Sequence, residues 1–351
     1  MGSEAGAAGN SLKQSLRGGL GPAERRAGRA TPFPSRSLKA DMHAHTCYSG
    51  WRHLRFIHPR DCYTEPLALY KTSLERGMDL VAITDHDTIE GALRLLDNGK
   101  VDASKVIVGE EVECCFPETG QWVHVNVYGL GENDHRLLQG ASRDVREVAA
   151  YCRERGLLHV LNHPFQSYHG QKPLQAYVED LLELFTHAEG LNGGVDDLQN
   201  LAVQALCAKA ASWGKHIVQV GGSDAHVLRR AGRAWTEASA SSAPEFLEAV
   251  RRGHCKVGGT GNTTPGLMRD VAEVIWNYYA RLYTGRGEAT GRFAYFVDAA
   301  FATLSLCAIA AGLPAWIVLI SQLRQKASSL RVLGGLSGLV PSIAKDYNPL
   351  S

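Results

Sequence analysis

Five short β-branched runs punctuate the chain after residue 39: MDLVAIT (78–84), KVIVG (105–109), WVHVNVYGL (122–130), LLHVLN (157–162) and HIVQVGG (216–222). Between several of them the patterning turns helical, in EPLALYKTSLERG, DHRLLQGASRDVREVAAYCRERG and EDLLELFTHA, the first two stopped by glycine. Strand, helix, strand in this rhythm predicts an α/β fold of parallel units, closed as a barrel or open as a doubly wound sheet. At 351 residues the chain has room for one large α/β domain with appendages, or for two ordinary domains.

Ligand-type side chains fall at particular places in this pattern. Asp85 and His86 follow VAIT, Glu111 follows VIVG, His163 follows HVLN, and Asp224 and His226 follow IVQVGGS. All stand at the carboxyl ends of apolar runs, where barrels and open α/β sheets both place their chemistry. His124 lies inside its run, and Glu111 and Glu113 share a strand face that excludes Glu110. Upstream, DMHAHTCYSG (41–50) sets His43 and His45 one residue apart, which points both imidazoles to one side of a strand. A lone histidine in a strand is most often a satisfied core residue. Separate segments delivering His, Asp or Glu to one rim argue for a metal site instead.

The formal net charge of +1 gives no global bias toward polyanions, so phosphate or nucleic-acid chemistry has to come from a local site. Eight scattered cysteines form no C-x-x-C pair or zinc-ribbon spacing and read as free thiols of a reducing compartment, which favours a cytoplasmic catalytic domain. Residues 1–38 hold no apolar signal-peptide core and, rich in Gly, Ala, Ser, Pro and Arg, read as a disordered lead-in.

Six ordered pieces, D-M-H-A-H-T (41–46), I-T-D-H-D-T (83–88), G-E-E (109–111), V-H-V (123–125), L-N-H-P (161–164) and G-S-D-A-H (222–226), resemble the motifs of the PHP family (polymerase and histidinol phosphatase domain) of metal-dependent phosphoesterases. The resemblance covers roughly residues 39–260. It implies a distorted (β/α)7, TIM-like barrel with two or three divalent ions at its carboxyl rim. Carried over motif by motif, one ion would be held by His43, His45, Glu111 and Asp224. A second would share Glu111 and add His124 and His163. A third would take His86 and His226 plus a ligand from the segment after the opening motif. There the chain departs from the family, with Gly50 and Trp51 where an Asp or His is usual. His53 is the nearest substitute, with His58 and Asp61 further off. Asp41 and Asp85 are expected behind the ligands, fixing imidazole tautomers, and Asp85 and His226 are also assigned to catalysis.

Imidazole and carboxylate donors without thiolates suit manganese, zinc or iron and argue against a purely structural zinc site. The implied reaction is hydrolysis of a phosphate ester by a metal-bound hydroxide, on a small phosphomonoester such as a nucleotide or on an oligonucleotide end. No P-loop or G-x-S-x-G elbow offers another route. Alternatives are a histidinol-phosphate-type phosphatase, an amidohydrolase, and a catalytically weak metal-binding regulatory module at a membrane. Arg230 and Arg233, in VLRRAGRAWTEA, are candidates for clamping a substrate phosphate, although ordinary solvated arginines are the commoner reading. Phe165, Tyr168 and His169 follow His163, where an aromatic could stack on a base or simply cover the barrel mouth.

Beyond a barrel spanning 39–262 the character changes. LMRDVAEVIWNYYARLY (267–283) reads as an amphipathic helix within a connector over 263–292. AAFATLSLCAIAAGLPAWIVLI (299–320), inside a hydrophobic segment at 293–322, runs 22 residues without a charge, long enough to span a bilayer. Membrane association is the favoured reading; the alternative is a buried helical hairpin broken at Gly312 to Pro314. Residues 323–351 read as a flexible tail, and no stable protein partner is implied.

Overall fold

The computed structural model describes residues 36–50, 60–140, 143–284 and 292–337. Its strands are β1 (Ser37–Asp41), β2 (Leu80–Ile83), β3 (Val106–Phe116), β4 (Gln121–Tyr128), β5 (Leu158–Asn162), β6 (His187–Asn192), β7 (Val218–Gly222), β8 (Ala234–Ser239) and β9 (Cys255–Gly259). They form one sheet in the order β7, β6, β5, β4, β3, β2, β1, β8, β9. Its two ends nearly meet. The Gly221 N–H donates to Thr236 Oγ1 at 2.8 Å and that hydroxyl donates back to the Gly221 carbonyl at 3.0 Å, joining β7 to β8.

This nearly closed, nine-stranded α/β barrel differs from the expected (β/α)7 arrangement of parallel units. The pairs β1–β2, β2–β3, β5–β6 and β6–β7 are parallel, whereas β3–β4, β4–β5, β1–β8 and β8–β9 are antiparallel. The cause at β3–β4 is local: only residues 117–120 separate the strands, with Gly120 at φ +65°, and so short a link can only reverse the chain.

Helices α1 (Pro66–Glu75), α2 (Glu90–Asp97), α3 (Glu132–Gly140), α4 (Val145–Arg155), α5 (Leu174–Leu184), α6 (Asp197–Ser212) and α7 (Ala243–Arg251) fill the connections. Strand alternation divides the core between them. Val81, Ile83, Val106 and Val108 face outward onto Leu69 of α1 and Leu95 of α2. The inner face carries Met42, Ala82, Ile107, Tyr128, Val160 and Val220, packed with Phe246 and Val250 of α7. Followed along the strands, that same inner face turns polar: Ile107 gives way to Glu111 and Glu113 on β3, and Tyr128 to Asn126 and His124 on β4.

Three helices follow the barrel: α8 (Thr264–Tyr283), α9 (Arg292–Ala310) and α10 (Leu313–Ser337). The uncharged stretch expected to cross a membrane is broken between α9 and α10 at Gly312, φ +71°, and the two helices are bent by 70°. Among the described residues no single helix is long and apolar enough to cross a membrane. Residues 323–337, expected to begin a flexible tail, continue α10 instead. Val332 and Leu336 are buried in the core that includes α5 and α6, and the Ser328 hydroxyl donates to the Tyr168 carbonyl at 2.9 Å.

Barrel closure brings β1 and β7 so close that Gly222 has no room for a side chain. A Cβ there would lie 2.4 Å from His43 Cβ and 2.6 Å from the His43 nitrogen. Gly222→Ala is therefore expected to lower stability by about 1–3 kcal/mol and to displace His43, read as a fall in the denaturation midpoint together with weakened metal uptake.

Candidate metal centre

The polar end of the inner face collects donors from many strand ends because closure leaves them nowhere else to point. Glu113 stands opposite His124 across β3–β4, and His124 opposite Asn162 across β4–β5, with His163 next in the chain. His43 and His45 follow β1, His86 follows β2, and Asp224 and His226 follow β7. His163 and Asp224 both take positive φ, +22° and +48°, a strained backbone that recurs where side chains are held for function. The Asp224 N–H donates to the His43 carbonyl at 2.6 Å, which fixes this turn against the opening motif.

The first donor group comprises His43, His45, Glu111 and Asp224. His43 Nε2 lies 3.1 Å from both His45 Nε2 and Glu111 Oε2, and 3.5 Å from Asp224 Oδ1. His45 Nε2 lies 3.2 Å from Glu111 Oε2 and 3.3 Å from Asp224 Oδ1. Metal–ligand bonds of about 2.0–2.1 Å in a tetrahedron put neighbouring donors roughly 3.3 Å apart, so these separations match the edges of a coordination shell. The other oxygen of Glu111 faces a second group, with His124 Nδ1 at 3.1 Å and His163 Nε2 at 3.2 Å.

A third group contains a donor from the segment after the opening motif. Asp61 Oδ2 is 3.4 Å from His86 Nε2 and 3.5 Å from His226 Nε2. Asp61 Oδ1 and His86 Nδ1 are buried with no hydrogen-bond partner, polar atoms that a cation or its water would satisfy. His53 lies outside the described residues.

Residues 210–255 match the family model described as PHP-associated. Over 132 residues the chain is 32% identical to the uncharacterized protein MJ1587 of Methanocaldococcus jannaschii, covering 36% of this chain and 68% of that protein. The chain belongs to the PHP family. Among solved structures it is similar to PsfC from Pseudomonas syringae (17% identity, TM-score 0.43, 70% of this chain and 99% of the other). It is also similar to the lesion-specific endonuclease PfuEndoQ from Pyrococcus furiosus (16% identity, TM-score 0.41, 63% of this chain and 58% of the other).

In this PHP domain a ring of side chains behind the donors sets which nitrogen faces inward. His43 Nδ1 lies 2.9 Å from Glu189 Oε1 and His45 Nδ1 lies 3.2 Å from Ser49 Oγ. With Nδ1 engaged there, each ring keeps its Nε2 lone pair for a cation. Asn162 Nδ2 donates to Glu111 Oε1 at 2.9 Å, and Asn192 Nδ2 bridges Glu189 Oε2 and Asp224 Oδ2 at 2.8 and 3.1 Å. Glu189 and Asn192 sit on β6, in a stretch whose first residues read as helix in the sequence and whose period-2 pattern is broken by an irregularity between Glu189 and Leu191, so no local signal marked them.

The expected supporting roles of Asp41 and Asp85 take a different form. Asp41 accepts from the Ser223 N–H and hydroxyl and from the Gly232 N–H, tying β1 to the loop after β7. Both Asp85 oxygens accept from Thr46, at 2.5 and 2.6 Å. Each carboxylate thus holds a loop that carries ligands, and neither hydrogen-bonds an imidazole. Burial pushes the Asp85 carboxyl up to about 6 against those hydrogen bonds, and its burial beneath the opening loop keeps it from reaching a substrate.

The expected phosphate-clamping arginines are also engaged elsewhere. Arg230 Nε donates to Asp270 Oδ2 at 2.9 Å and its Nη2 reaches Asn262 Oδ1, while Arg233 turns back toward the Arg229 carbonyl. These contacts fasten α8 to the barrel. Phe165 and Tyr168 are buried and stack around Tyr177, so neither offers a platform for a base.

Electrostatics concentrate negative charge on the donors. Burial raises the cost of ionising Glu111, but His43, His86 and His124 outweigh it and hold its carboxyl well below the usual range. Asp224 is lowered in the same way by His43, His45 and His226, and Asp61 chiefly by His226. Burial likewise disfavours a charged His45, yet hydrogen bonds to Asp224 and Glu111 push it up to about 10; His43 is raised by Glu111, Asp224 and Glu189. Without a cation the surrounding carboxylates therefore favour a shared positive charge on the His43–His45 pair, whose Nε2 atoms lie 3.1 Å apart, and a metal bound there must displace a proton. Manganese titrations should release at least one proton per first ion bound at pH 7. Affinity should climb about tenfold per pH unit for each proton displaced, so pH-independent affinity between pH 6 and 9 would contradict this assignment. Asp61→Asn is expected to lower the number of tightly bound ions by one, counted by elemental analysis after dialysis, while His43→Ala empties the first site.

Proposed function

We propose that this PHP domain hydrolyses phosphate monoesters with the help of divalent ions held by its clustered imidazoles and carboxylates. The observation that carries the reading is Glu111. Its two oxygens serve two neighbouring donor groups, Oε2 beside His43 and His45 and Oε1 beside His124 and His163. A carboxylate shared in this way suits two adjacent cations, the arrangement that grips the oxygens of a phosphoryl group. Manganese, zinc or iron ions bound there would supply Lewis acidity and bring the pKa of a coordinated water from about 15.7 toward about 7.

The protein's own groups define where the ester lies. A cavity of about 540 Å³ opens over the donors, bordered by His86, His124, His163 and His226 on the barrel side. His124 and His226 are more exposed than His43 and His45, so they flank the substrate while the first pair lies beneath. Arg60, beside Asp61 on the cavity wall, supplies positive charge near an anionic phosphoryl group. The opposite wall is aliphatic, with Leu267, Val271, Val274 and Ile275 of α8 and Ile317 and Val318 of α10, and it keeps bulk water from the donors.

Phosphate release from 4-nitrophenyl phosphate by the manganese-loaded full chain, with bis(4-nitrophenyl) phosphate as the diester control, tests the proposal. Asp224→Asn and His43→Ala should each lower turnover by about a thousandfold or more while far-UV circular dichroism is unchanged. Full turnover by either variant, or by protein stripped with chelator, would overturn it.

A further inference from the structure

The aliphatic wall of the catalytic cavity is also one wall of a second, larger cavity. That second space, about 920 Å³, lies between α8, α9 and α10 and shares Val271, Ile275 and Val318 with the first. Its remaining lining includes Trp276, Tyr279, Leu306, Ile309 and Pro314, and no charged side chain contributes to it. The break at Gly312 creates the space, because α9 and α10 diverge by 70° there instead of continuing as one rod. Large apolar side chains stand open at its edge and beyond, with Trp276 72% and Trp316 61% exposed. Exposed apolar surface on this scale marks a place where something apolar binds.

We propose that the ester hydrolysed at the metal centre carries a hydrocarbon chain, which lies in this groove while its phosphoryl group rests on the donors. The inference rests on the phosphomonoesterase reading and names the substrate class. Adjacency argues for this occupant: Val271, Ile275 and Val318 border both spaces, so a monoester whose chain passes these side chains would fill the two together, whereas a bilayer or a protein segment covering α9 would use the second alone. A basic track that would hold an oligonucleotide backbone is missing among the described residues of the two cavity walls, where Arg60 and Arg230 are the cationic side chains besides the histidines, and the aromatic side chains Trp276 and Tyr279 line only the second cavity, on the far side of the shared residues from the donors. In the reaction water adds to phosphorus, the bond from phosphorus to the chain-bearing oxygen breaks, and that oxygen takes up a proton. The products are a long-chain alcohol and inorganic phosphate.

The test uses butyl, octyl and dodecyl phosphate below their micellar concentrations with the manganese-loaded full chain. Each methylene that becomes buried should improve kcat/KM roughly three- to fourfold, so the octyl ester should exceed the butyl ester by about tenfold or more. Calorimetric binding of dodecylphosphonate and butylphosphonate, which are not hydrolysed, should show the same preference. Ala272→Trp and Ala315→Trp place bulk at exposed positions on the groove wall, where the fold can tolerate it, and should bring the octyl-to-butyl ratio toward one.

Equal kcat/KM and equal phosphonate affinity across chain lengths would overturn the inference and leave the hydrolysis reading standing. Chain-dependent phosphonate binding with no ester hydrolysed would overturn the hydrolysis reading and the substrate assignment with it, leaving the groove as a binding site for the chain alone. Co-sedimentation with phosphatidylcholine vesicles combined with flat chain-length dependence would mean that this face docks on a bilayer rather than holding a chain, and would also overturn it.

Discussion

The carboxylate of Glu111 is fully buried, and every neighbouring element is arranged to tolerate its charge. Burying an ionised carboxylate costs several kcal/mol unless positive or donating groups surround it. Here imidazoles arrive from beyond β1 (His43, His45), beyond β2 (His86), within β4 (His124) and beyond β5 (His163), with the Asn162 amide adding a hydrogen bond. Those residues reach one carboxylate because the sheet curls, and the same curl brings β7 to β8 and Asp224 to His43 and His45. The closed barrel and the donor cluster are therefore a single constraint.

The helices after the barrel belong to the same arrangement. Asp270 on α8 receives Arg229 and Arg230, and the second half of α10 buries Val332 and Leu336 beside the barrel helices. From the stretch that reads in the sequence as a membrane segment, Ile317 and Val318 join α8 in walling the cavity over the donors. The helical break at Gly312 leaves the apolar side chains of α9 and the front of α10 turned toward one another and toward solvent.

The strands that stand out in the sequence are those rich in β-branched residues, β2, β3, β4, β5 and β7. The others, SLKAD, HAEGLN, AWTEAS and CKVGG, have little intrinsic β preference and become strands because a neighbour on the sheet completes their hydrogen bonds. Strand direction was less legible than strand existence. The alternation with helices suggests parallel units throughout, but the short link at 117–120 and the pairing of β1 with β8 reverse part of the sheet. The pattern running from Asp134 to Gly156 also reads as one helix, while the structure has α3 and α4, the second capped by the Asp144 side chain on the Arg146 N–H.

Which residues carry donor atoms, and at which strand ends they stand, was determined by the sequence alone, because a ligand's chemistry and its place after an apolar run are local properties. Partnership was decided by tertiary structure, because it depends on contacts between residues far apart in the chain. Only closure brings Asp61 between His86 and His226, sets Glu189 behind His43 across 146 positions, and turns Asp85 under Thr46 and Arg230 toward Asp270. Those pairings follow from the curvature and register of the whole sheet, and no window of sequence contains them.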